Sequence, residues 1–373
     1  MRITIVLGAF LPVPPVMGGA VEKIWFALGQ EFARRGHEVI QISRARPEFA
    51  RTEMRDGVRH LRVRGYDTPR SLFWLKALDF LYSIRARRAL PKADIVVTNT
   101  FWLPMFLRNE KRGKVYVHVA RFPKGQMRFY QHCARLQAPS QCVARAIIAE
   151  VPSVEAKVKV IPYPRPAPSG RDAPVFANRA RKILYVGRVH PEKGVHLLLD
   201  AFRQLPSSIA QTWKLSIVGP WESKLGGGGE GYWNQLRAAA TKLGNSVRLQ
   251  GAIFDAGALK AEFTSAQLFV YPSLAETGET FGLAPLEAMA HGCAVLVSNL
   301  DCFHDFIRDG ETGFIFDHRL EEPVKALQRK METLLNDNQS RARVAEVGWR
   351  KSNEYLLTEV ADRFLADFQL VTS

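Results

Sequence analysis

The chain has 373 residues, 47% hydrophobic and 24% charged, with 52 Lys+Arg against 36 Asp+Glu and a net charge of +16. This composition excludes a disordered or collagen-like chain and leaves enough apolar material for two domains of ordinary size. No apolar run is long enough to span a membrane as a helix. The four cysteines (Cys133, Cys142, Cys293 and Cys302) show neither C-x-x-C pairs nor zinc-like spacing, so reduced thiols in a cytosolic compartment are expected.

The opening run, Ile3–Leu7, is too short for a secretory signal and reads as a first strand. A loop rich in Pro and Gly follows (Pro12, Pro14, Pro15, Gly18, Gly19). Val21, Ile24, Trp25, Leu28 and Phe32 then recur at helical spacing. Gly36 is placed to end that helix, and Glu38–Ser43 starts the next strand. Further strands are expected at Val58–Val63, Asp94–Thr98, Val115–Val119 and Val158–Ile161. Strands alternating with helices predict a parallel sheet covered on both faces.

Arg70–Arg88 has the pattern of an amphipathic helix rich in aromatics with a basic end, and more cations follow at Arg108, Lys111, Arg112, Lys114, Arg121, Lys124 and Arg128. Two readings stand side by side. Such a surface suits an anionic membrane leaflet; alternatively Leu72, Leu75, Leu78 and Leu81 are core and the arginines only solvate a face. The charge is uneven: residues 1–165 hold 29 Lys+Arg and 12 Asp+Glu, residues 166–373 hold 23 and 24. A basic half joined to a neutral half points to an anionic surface or substrate for one domain.

Pro162–Pro168 reads as a linker. The pattern then restarts, with strands at Ile183–Val186, Lys214–Val218, Val247–Leu249, Leu268–Tyr271 and Ala294–Val297, and a flexible loop at Gly226–Gly229. The expected domains are 1–165 and 166–353, with a final helix from about Glu354 to Phe368 packing back on the first.

Two segments carry chemistry. In Glu279-Thr-Phe-Gly-Leu-Ala-Pro-Leu-Glu287, the first carboxylate lies on a loop and the second on a helix over Gly282–His291, which Pro285 helps to open. The free N–H groups of a first helical turn seat phosphate, whereas carboxylates suit the hydroxyls of a ribose or sugar ring. Two Glu near a helix start also simply complement its dipole. The second segment, Lys182–Gly194, reads as a buried strand, a turn flanked by Arg188 and Lys193, then a helix through Val195, Leu198, Leu199 and Phe202. Ligands in open α/β sheets sit at such strand ends, and Arg and Lys there suit a diphosphate.

These residues resemble the retaining glycosyltransferases of family 4, with the GT-B fold. The likeness spans nearly the whole chain. It is strong at Gly187-Arg188, Glu192-Lys193-Gly194, Tyr271-Pro-Ser273 and Glu279–Glu287, and looser at Gly18-Gly19, Gly36-His37-Glu38-Val39 and Ala138-Pro-Ser140. The chain departs from the family where Pro162-Tyr-Pro-Arg-Pro follows Val158–Ile161 in place of an Asn-Gly type of turn. The resemblance implies two Rossmann-like domains facing each other across a cleft, acceptor-binding first and donor-binding second. It implies that Arg188 and Lys193 neutralise the donor diphosphate, that Glu279 holds the transferred sugar and that Glu287 bonds the ribose. Thr280, Phe281, Gly282 and Leu283 would offer backbone N–H groups. Gly18 and Gly19 would approach the diphosphate, and Gly251–Phe254, with Ile253, would frame the base. His118, on a strand, would lie beside the donor sugar; a lone His on a strand is otherwise a packed core residue.

The implied reaction moves a sugar from a UDP- or GDP-sugar to a hydroxyl of a glycan or lipid-linked acceptor, with retention, in cell-surface glycan assembly. No cofactor is implied. The absence of a D-x-D motif implies no metal, since the basic groups take its place. The implied location is cytoplasmic, with a peripheral place at the inner membrane face. A sugar-nucleotide epimerase of the same architecture is the alternative. A nucleic-acid binder is disfavoured by the lack of helix-turn-helix, RNP or zinc-finger patterns. A nicotinamide enzyme lacks its G-x-G-x-x-G at residues 8–19.

Overall fold

The computed structural model describes residues 1–108, 111–166, 173–176 and 179–373. They form two compact α/β units: unit 1 is Met1–Pro164 with Leu357–Ser373, and unit 2 is Arg165–Leu356. The division falls after Pro164 rather than after 165, and unit 2 runs on to Leu356 rather than 353.

Unit 1 holds an eight-stranded sheet in the order β3-β4-β2-β1-β5-β6-β7-β8. Its strands are β1 (Arg2–Val6), β2 (Glu38–Arg44), β3 (Thr52–Arg55), β4 (Val58–Val63), β5 (Ile95–Thr98), β6 (Lys114–His118), β7 (Arg135–Ala138) and β8 (Val158–Val160). The expectation of a wholly parallel sheet needs correcting: β3 pairs with β4 antiparallel, and it carries no apolar pattern because it is a short edge strand. The sequence reading also missed β7, whose Arg135-Leu-Gln-Ala138 places a fully buried Gln137 where an apolar run is looked for. Helix α1 (Ala20–Arg34) buries Ile24, Trp25, Leu28 and Phe32, the stripe that its spacing predicts.

Helix α2 (Leu72–Ala89) is different, and the core alternative fails for two of its leucines: Leu72 is 67% exposed and Leu81 44%, while Leu75 and Leu78 are half-buried. What it buries is Asp79, Tyr82, Ser83 and Ala86. Asp79 accepts the N–H groups of Phe101 and Trp102 after β5, and burial raises its carboxyl to about 6. The short helix α3 (Leu103–Phe106) follows.

Unit 2 holds a wholly parallel sheet in the order β11-β10-β9-β12-β13-β14. Its strands are β9 (Ala180–Val186), β10 (Lys214–Val218), β11 (Val247–Gln250), β12 (Ala266–Tyr271), β13 (Ala294–Ser298) and β14 (Phe314–Phe316). This is the doubly wound order, and the chain reverses direction across the sheet between β9 and β12. After β9 comes helix α4 (Val195–Arg203), and after β12 helix α5 (Leu283–Ala290).

The proline stretch is not a solvated linker over its described part. Ile161, Tyr163 and Arg165 are buried, the last donating to Ser352 Oγ at 3.0 Å while its N–H meets the Tyr355 carbonyl at 2.7 Å. Pro168 lies outside the described residues. Among the described residues no helix is long and apolar enough to cross a membrane.

The final helix, α6 (Leu357–Thr372), begins three residues later than expected and belongs to unit 1. Phe364 and Phe368 meet Trp25, Phe32 and Tyr116 with ring centroids 4.9–6.2 Å apart. Buried Asp367 accepts from Tyr116 Oη at 2.8 Å and Arg135 Nε at 3.0 Å. Asp367→Ala leaves both donors without their carboxylate and is expected to destabilise unit 1 by about 3 kcal/mol. Denaturant unfolding of the variant beside Asp367→Asn checks this; an unchanged midpoint for Asp367→Ala would show that ring packing alone holds α6.

Candidate active site

The loops leaving β9 and β12, at the reversal point of unit 2, bring Lys193 and Glu279 together. Lys193 Nζ lies 2.7 Å from Glu279 Oε2, with the two side chains 5% and 13% exposed. The position of Lys193 is set locally. Pro191–Lys193 forms a 3₁₀ turn that ends on Gly194 in the left-handed region, φ 68°. A Cβ on Gly194 would stand 2.0 Å from the Pro272 carbonyl, so only glycine lets α4 start flush against the chain leaving β12. The N–H of Leu274 donates to the Glu192 carbonyl at 2.7 Å, which sews the two loops together.

Glu279 is held from three sides. Besides Lys193, Tyr271 Oη donates to its Oε2 at 3.2 Å, with Ser273 Oγ at 3.4 Å. Tyr271 stacks on Tyr185 at 5.6 Å between ring centroids, and Tyr185 Oη donates to the Arg188 carbonyl at 2.8 Å. Burial, then the charge of Glu279, pushes the Tyr271 phenol well above its ordinary range, so it remains a donor. The sequence reading quoted Tyr271 and Ser273 as family marks without a role. Their contact with Glu279 arises only when the loop folds back on its own strand end.

Arg188 is oriented by two contacts: Nη2 on Glu192 Oε1 at 2.7 Å, and Nη1 donating to the Gly226 carbonyl at 2.8 Å. Its side chain is still 42% exposed, which leaves part of the guanidinium accessible. The expected flexible loop at Gly226–Gly229 is instead hydrogen-bonded. Gly226, Gly227 and Gly229 donate to Ser223, Glu222 and Trp221 carbonyls at 2.8–3.1 Å, and Gly228 to Val189 at 2.8 Å.

Gly282 precedes α5 with φ 97°, and a Cβ there would meet a ring carbon of Phe303 at 2.5 Å. That close approach aims the start of α5, where the N–H groups of Leu283 and Ala284 lack intrahelical acceptors. Phe281 is buried against Phe306 and Tyr355, while Thr280 and Glu287 are half-buried. Glu287 lies in the second turn of α5. Ile253 follows β11 and is half-buried, beside exposed Phe254.

Gly18, Gly19 and His118 lie in unit 1. Gly18 and Gly19 precede α1 with φ of 81° and 91°. Glu22 in the first turn of α1 is buried, and burial raises its carboxyl. The sequence pattern does not single it out. His118 ends β6 at 3% exposure. Gln137 Nε2 donates to the Ile161 carbonyl at 2.6 Å, which turns its Oε1 toward His118 Nδ1 at 2.5 Å. Nδ1 therefore carries the proton, and Nε2 accepts from Tyr163 Oη at 3.2 Å. With both nitrogens engaged and Trp25 edge-on at 5.4 Å, this ring offers no nitrogen to a sugar hydroxyl in the arrangement described. Among the described residues no group of three or more His, Cys, Asp or Glu could hold a metal ion.

Two outcomes follow from this chemistry. Burial lowers His118 to about 4 against 6.5 unfolded. The unfolded chain thus takes a proton first, so the contribution of this residue is present above pH 6.5 and lost as pH falls toward 4, by about 3 kcal/mol. The stability advantage of the wild type over His118→Asn should narrow over that window in melts at several pH values; a constant difference would mean the ring titrates normally. Removing one partner of the Lys193–Glu279 pair should cost about 3 kcal/mol, while Lys193→Met/Glu279→Leu should cost less than the sum of the single changes. A double-mutant cycle read by denaturant unfolding checks this, and additive values would mean that the pair is not coupled.

With this geometry in hand, the likeness to known proteins is informative. A family model described as "Glycosyltransferase Family 4" matches residues 17–164, and one described as "Glycosyl transferases group 1" matches 169–350. The phosphatidyl-myo-inositol mannosyltransferase of Mycobacterium tuberculosis is 30% identical over 217 residues, covering 55% of this chain and 53% of its own. The lipopolysaccharide 1,2-N-acetylglucosaminetransferase of Salmonella typhimurium is 31% identical over 249 residues, covering 62% and 61%. The aligned regions thus span little more than half the length of these relatives. The Anabaena protein HepE, solved in complex with UDP, shares the fold at a TM-score of 0.72, with 18% identity over 99% of this chain and 100% of that one. Two family models running nearly end to end through both units place the chain among the family 4-related glycosyltransferases of the GT-B fold.

Proposed function

We propose that the protein is a retaining, metal-independent glycosyltransferase that takes a sugar from a nucleotide diphosphate, most simply UDP, and passes it to a hydroxyl of a glycan or lipid-linked acceptor. The observation that carries this reading is the meeting of Lys193 and Glu279 where β9 and β12 diverge. A cation and a carboxylate side by side at a reversal point match the two ends of a diphosphate-sugar bond. UDP in the HepE structure and the lipid-directed names of the two relatives support the choice of donor and acceptor class.

On this reading a donor diphosphate replaces Glu279 as the partner of Lys193. Glu279, still held by Tyr271 and Ser273, then turns its free oxygen to the sugar hydroxyls. Arg188 and the N-terminus of α5 face the remaining phosphate oxygens, and Glu287 takes the ribose, with Ile253 beside the base. As the bond from C1 to the diphosphate breaks, negative charge grows on the leaving oxygen. Groups fixed beforehand stabilise it without reorganising. The acceptor oxygen bonds C1 from the same face, and its proton passes to the departing phosphate. Glu279 positions the sugar and is not the nucleophile. His118 serves by fixing Tyr163 and takes no proton itself. The basic unit 1 turns toward an anionic membrane surface, which places the enzyme at the cytoplasmic face.

A thermal-shift panel of UDP-, GDP-, ADP- and dTDP-sugars tests this. A donor at about a hundred times its dissociation constant adds about 2.7 kcal/mol, a few degrees of melting temperature for a chain of this size. One nucleotide class should shift the wild type and fail to shift Glu287→Ala. The same donor incubated without acceptor should return unchanged or slowly hydrolysed sugar. Release of an isomerised sugar would instead establish an epimerase, and no shift with any donor would remove the assignment of the site.

A further inference from the structure

The chain between β12 and α5 carries Glu279, and the ends of the next two strands hold it from a second direction. Glu279 N donates to the Ala275 carbonyl at 3.0 Å, with Gly278 N on the same carbonyl at 3.1 Å, so residues 275–279 close into one tight turn. Glu276 lies inside that turn. Its carboxylate takes a two-pronged contact from Arg319, Nε on Oε1 and Nη2 on Oε2, both at 2.9 Å. His318 Nε2 donates to Oε1 as well, at 2.9 Å. His318 and Arg319 follow β14, and Arg319 Nη1 donates to the carbonyl of Asn299, after β13, at 2.6 Å. Ser298, the last residue of β13, donates from Oγ to the Ser273 carbonyl at 2.5 Å. The ends of β13 and β14 are thus tied to the loop that leaves β12, their neighbour in the sheet.

Stability alone does not account for this arrangement. The side chains of Glu276 and Arg319 are 50% and 44% exposed, and ion pairs at such exposure stabilise a fold little. A bidentate contact between guanidinium and carboxylate instead fixes direction as well as distance. The His318 side chain is 5% exposed, and its Nδ1 is buried without a hydrogen-bond partner among the described residues. A buried nitrogen left unmet is destabilising, yet the ring keeps its contact with Glu276. Burial raises the Glu276 carboxyl, but the hydrogen bonds from Arg319 and His318 outweigh it and hold the group below its usual range. Glu276 therefore stays ionised at neutral pH. With the Leu274 N–H bonded to Glu192, the turn is fastened on two sides.

We propose that Arg319 and His318 are positioning residues for Glu279: by gripping Glu276 they set the turn 275–279, and the turn sets where the Glu279 carboxylate stands between Lys193 and the transferred sugar. The sugar's part in this rests on the function proposed above, whereas the contact with Lys193 does not. The clamp acts through the backbone of the turn and touches no substrate. Released on this side, the turn lets Glu279 swing, which lengthens its contact with Lys193 and spoils its aim at a sugar hydroxyl. Hydrogen bonds weaken steeply when distance or angle is lost, and a binding group keeps its geometry only when the residues behind it are themselves held.

The double-mutant cycle of Lys193→Met and Glu279→Leu, read by denaturant unfolding, is repeated in an Arg319→Met background and in a Glu276→Gln background. The coupling between Lys193 and Glu279 should be largely lost in both. Arg319→Met on its own should move the unfolding midpoint little, since both partners are half-exposed. Wild-type coupling in either background would overturn the proposal, and so would a lowered midpoint with the coupling intact, or no coupling in the wild type. The nucleoside diphosphate and the nucleotide sugar of the class that shifts the wild type are then compared by titration calorimetry. Arg319→Met should bind the diphosphate alone with wild-type affinity, because Lys193, Arg188 and Glu287 stay in place. It should lose about tenfold in affinity for the sugar form, the equivalent of one hydrogen bond to a charged group. An unchanged affinity for the sugar form, or an equal loss for both ligands, would overturn the proposal. The cycle needs no donor: lost coupling in a protein that binds no nucleotide sugar would uphold the positioning of Glu279 and remove the function proposed above.

Discussion

The arrangement of unit 2 rests on one buried ion pair. A Lys and a Glu brought out of water stay charged only if they find each other and further donors. Lys193 and Glu279 meet this condition with Tyr271 and Ser273 as additional partners. The pair holds the loops after β9 and β12 at one place, together with the Leu274 N–H bond to Glu192 and the close approach at Gly194. On the function proposed above, a diphosphate takes the place of Glu279 beside Lys193 and sugar hydroxyls satisfy Glu279, so that binding and stability draw on one set of atoms.

Unit 1 treats its buried groups in two ways. Burial lowers His118 to about 4 and raises the carboxyls of Asp79, to about 6, and of Glu22, whereas buried Asp367 is paired with Arg135 and Glu31 with Arg34 and Arg35. Further cations are turned outward, at the end of α2 and in the segment after α3. Such an outward field suits an anionic partner.

Much of this was legible before folding. Val58–Val63 and Lys214–Val218 have the bounds expected from their apolar runs, and the helix after Gly194 buries Val195, Leu198, Leu199 and Phe202 as their spacing demands. Elements without a periodic signal were not legible. β3 is a polar edge strand, and β7 buries a glutamine whose purpose appears only beside His118 and Ile161. Nothing in the tail segment marks Asp367, yet it is buried and accepts from Tyr116, more than two hundred residues away in the chain.

For the site, the sequence by itself determined which residue types stand at strand ends and helix starts: Arg188, Lys193, Glu279 and the glycines around them. Local chemistry is enough for that, because a turn, a cap or a buried strand is written in a few consecutive residues. Only the tertiary structure decided that Lys193 and Glu279 hold each other, that Arg188 rests on Gly226, that both nitrogens of His118 are taken, and that Arg108 and Lys111 join Arg88 in one cleft. These are contacts between segments far apart in the chain. Which of many possible partners a charge finds depends on sheet order and on the close approach of backbones, and no local pattern encodes either.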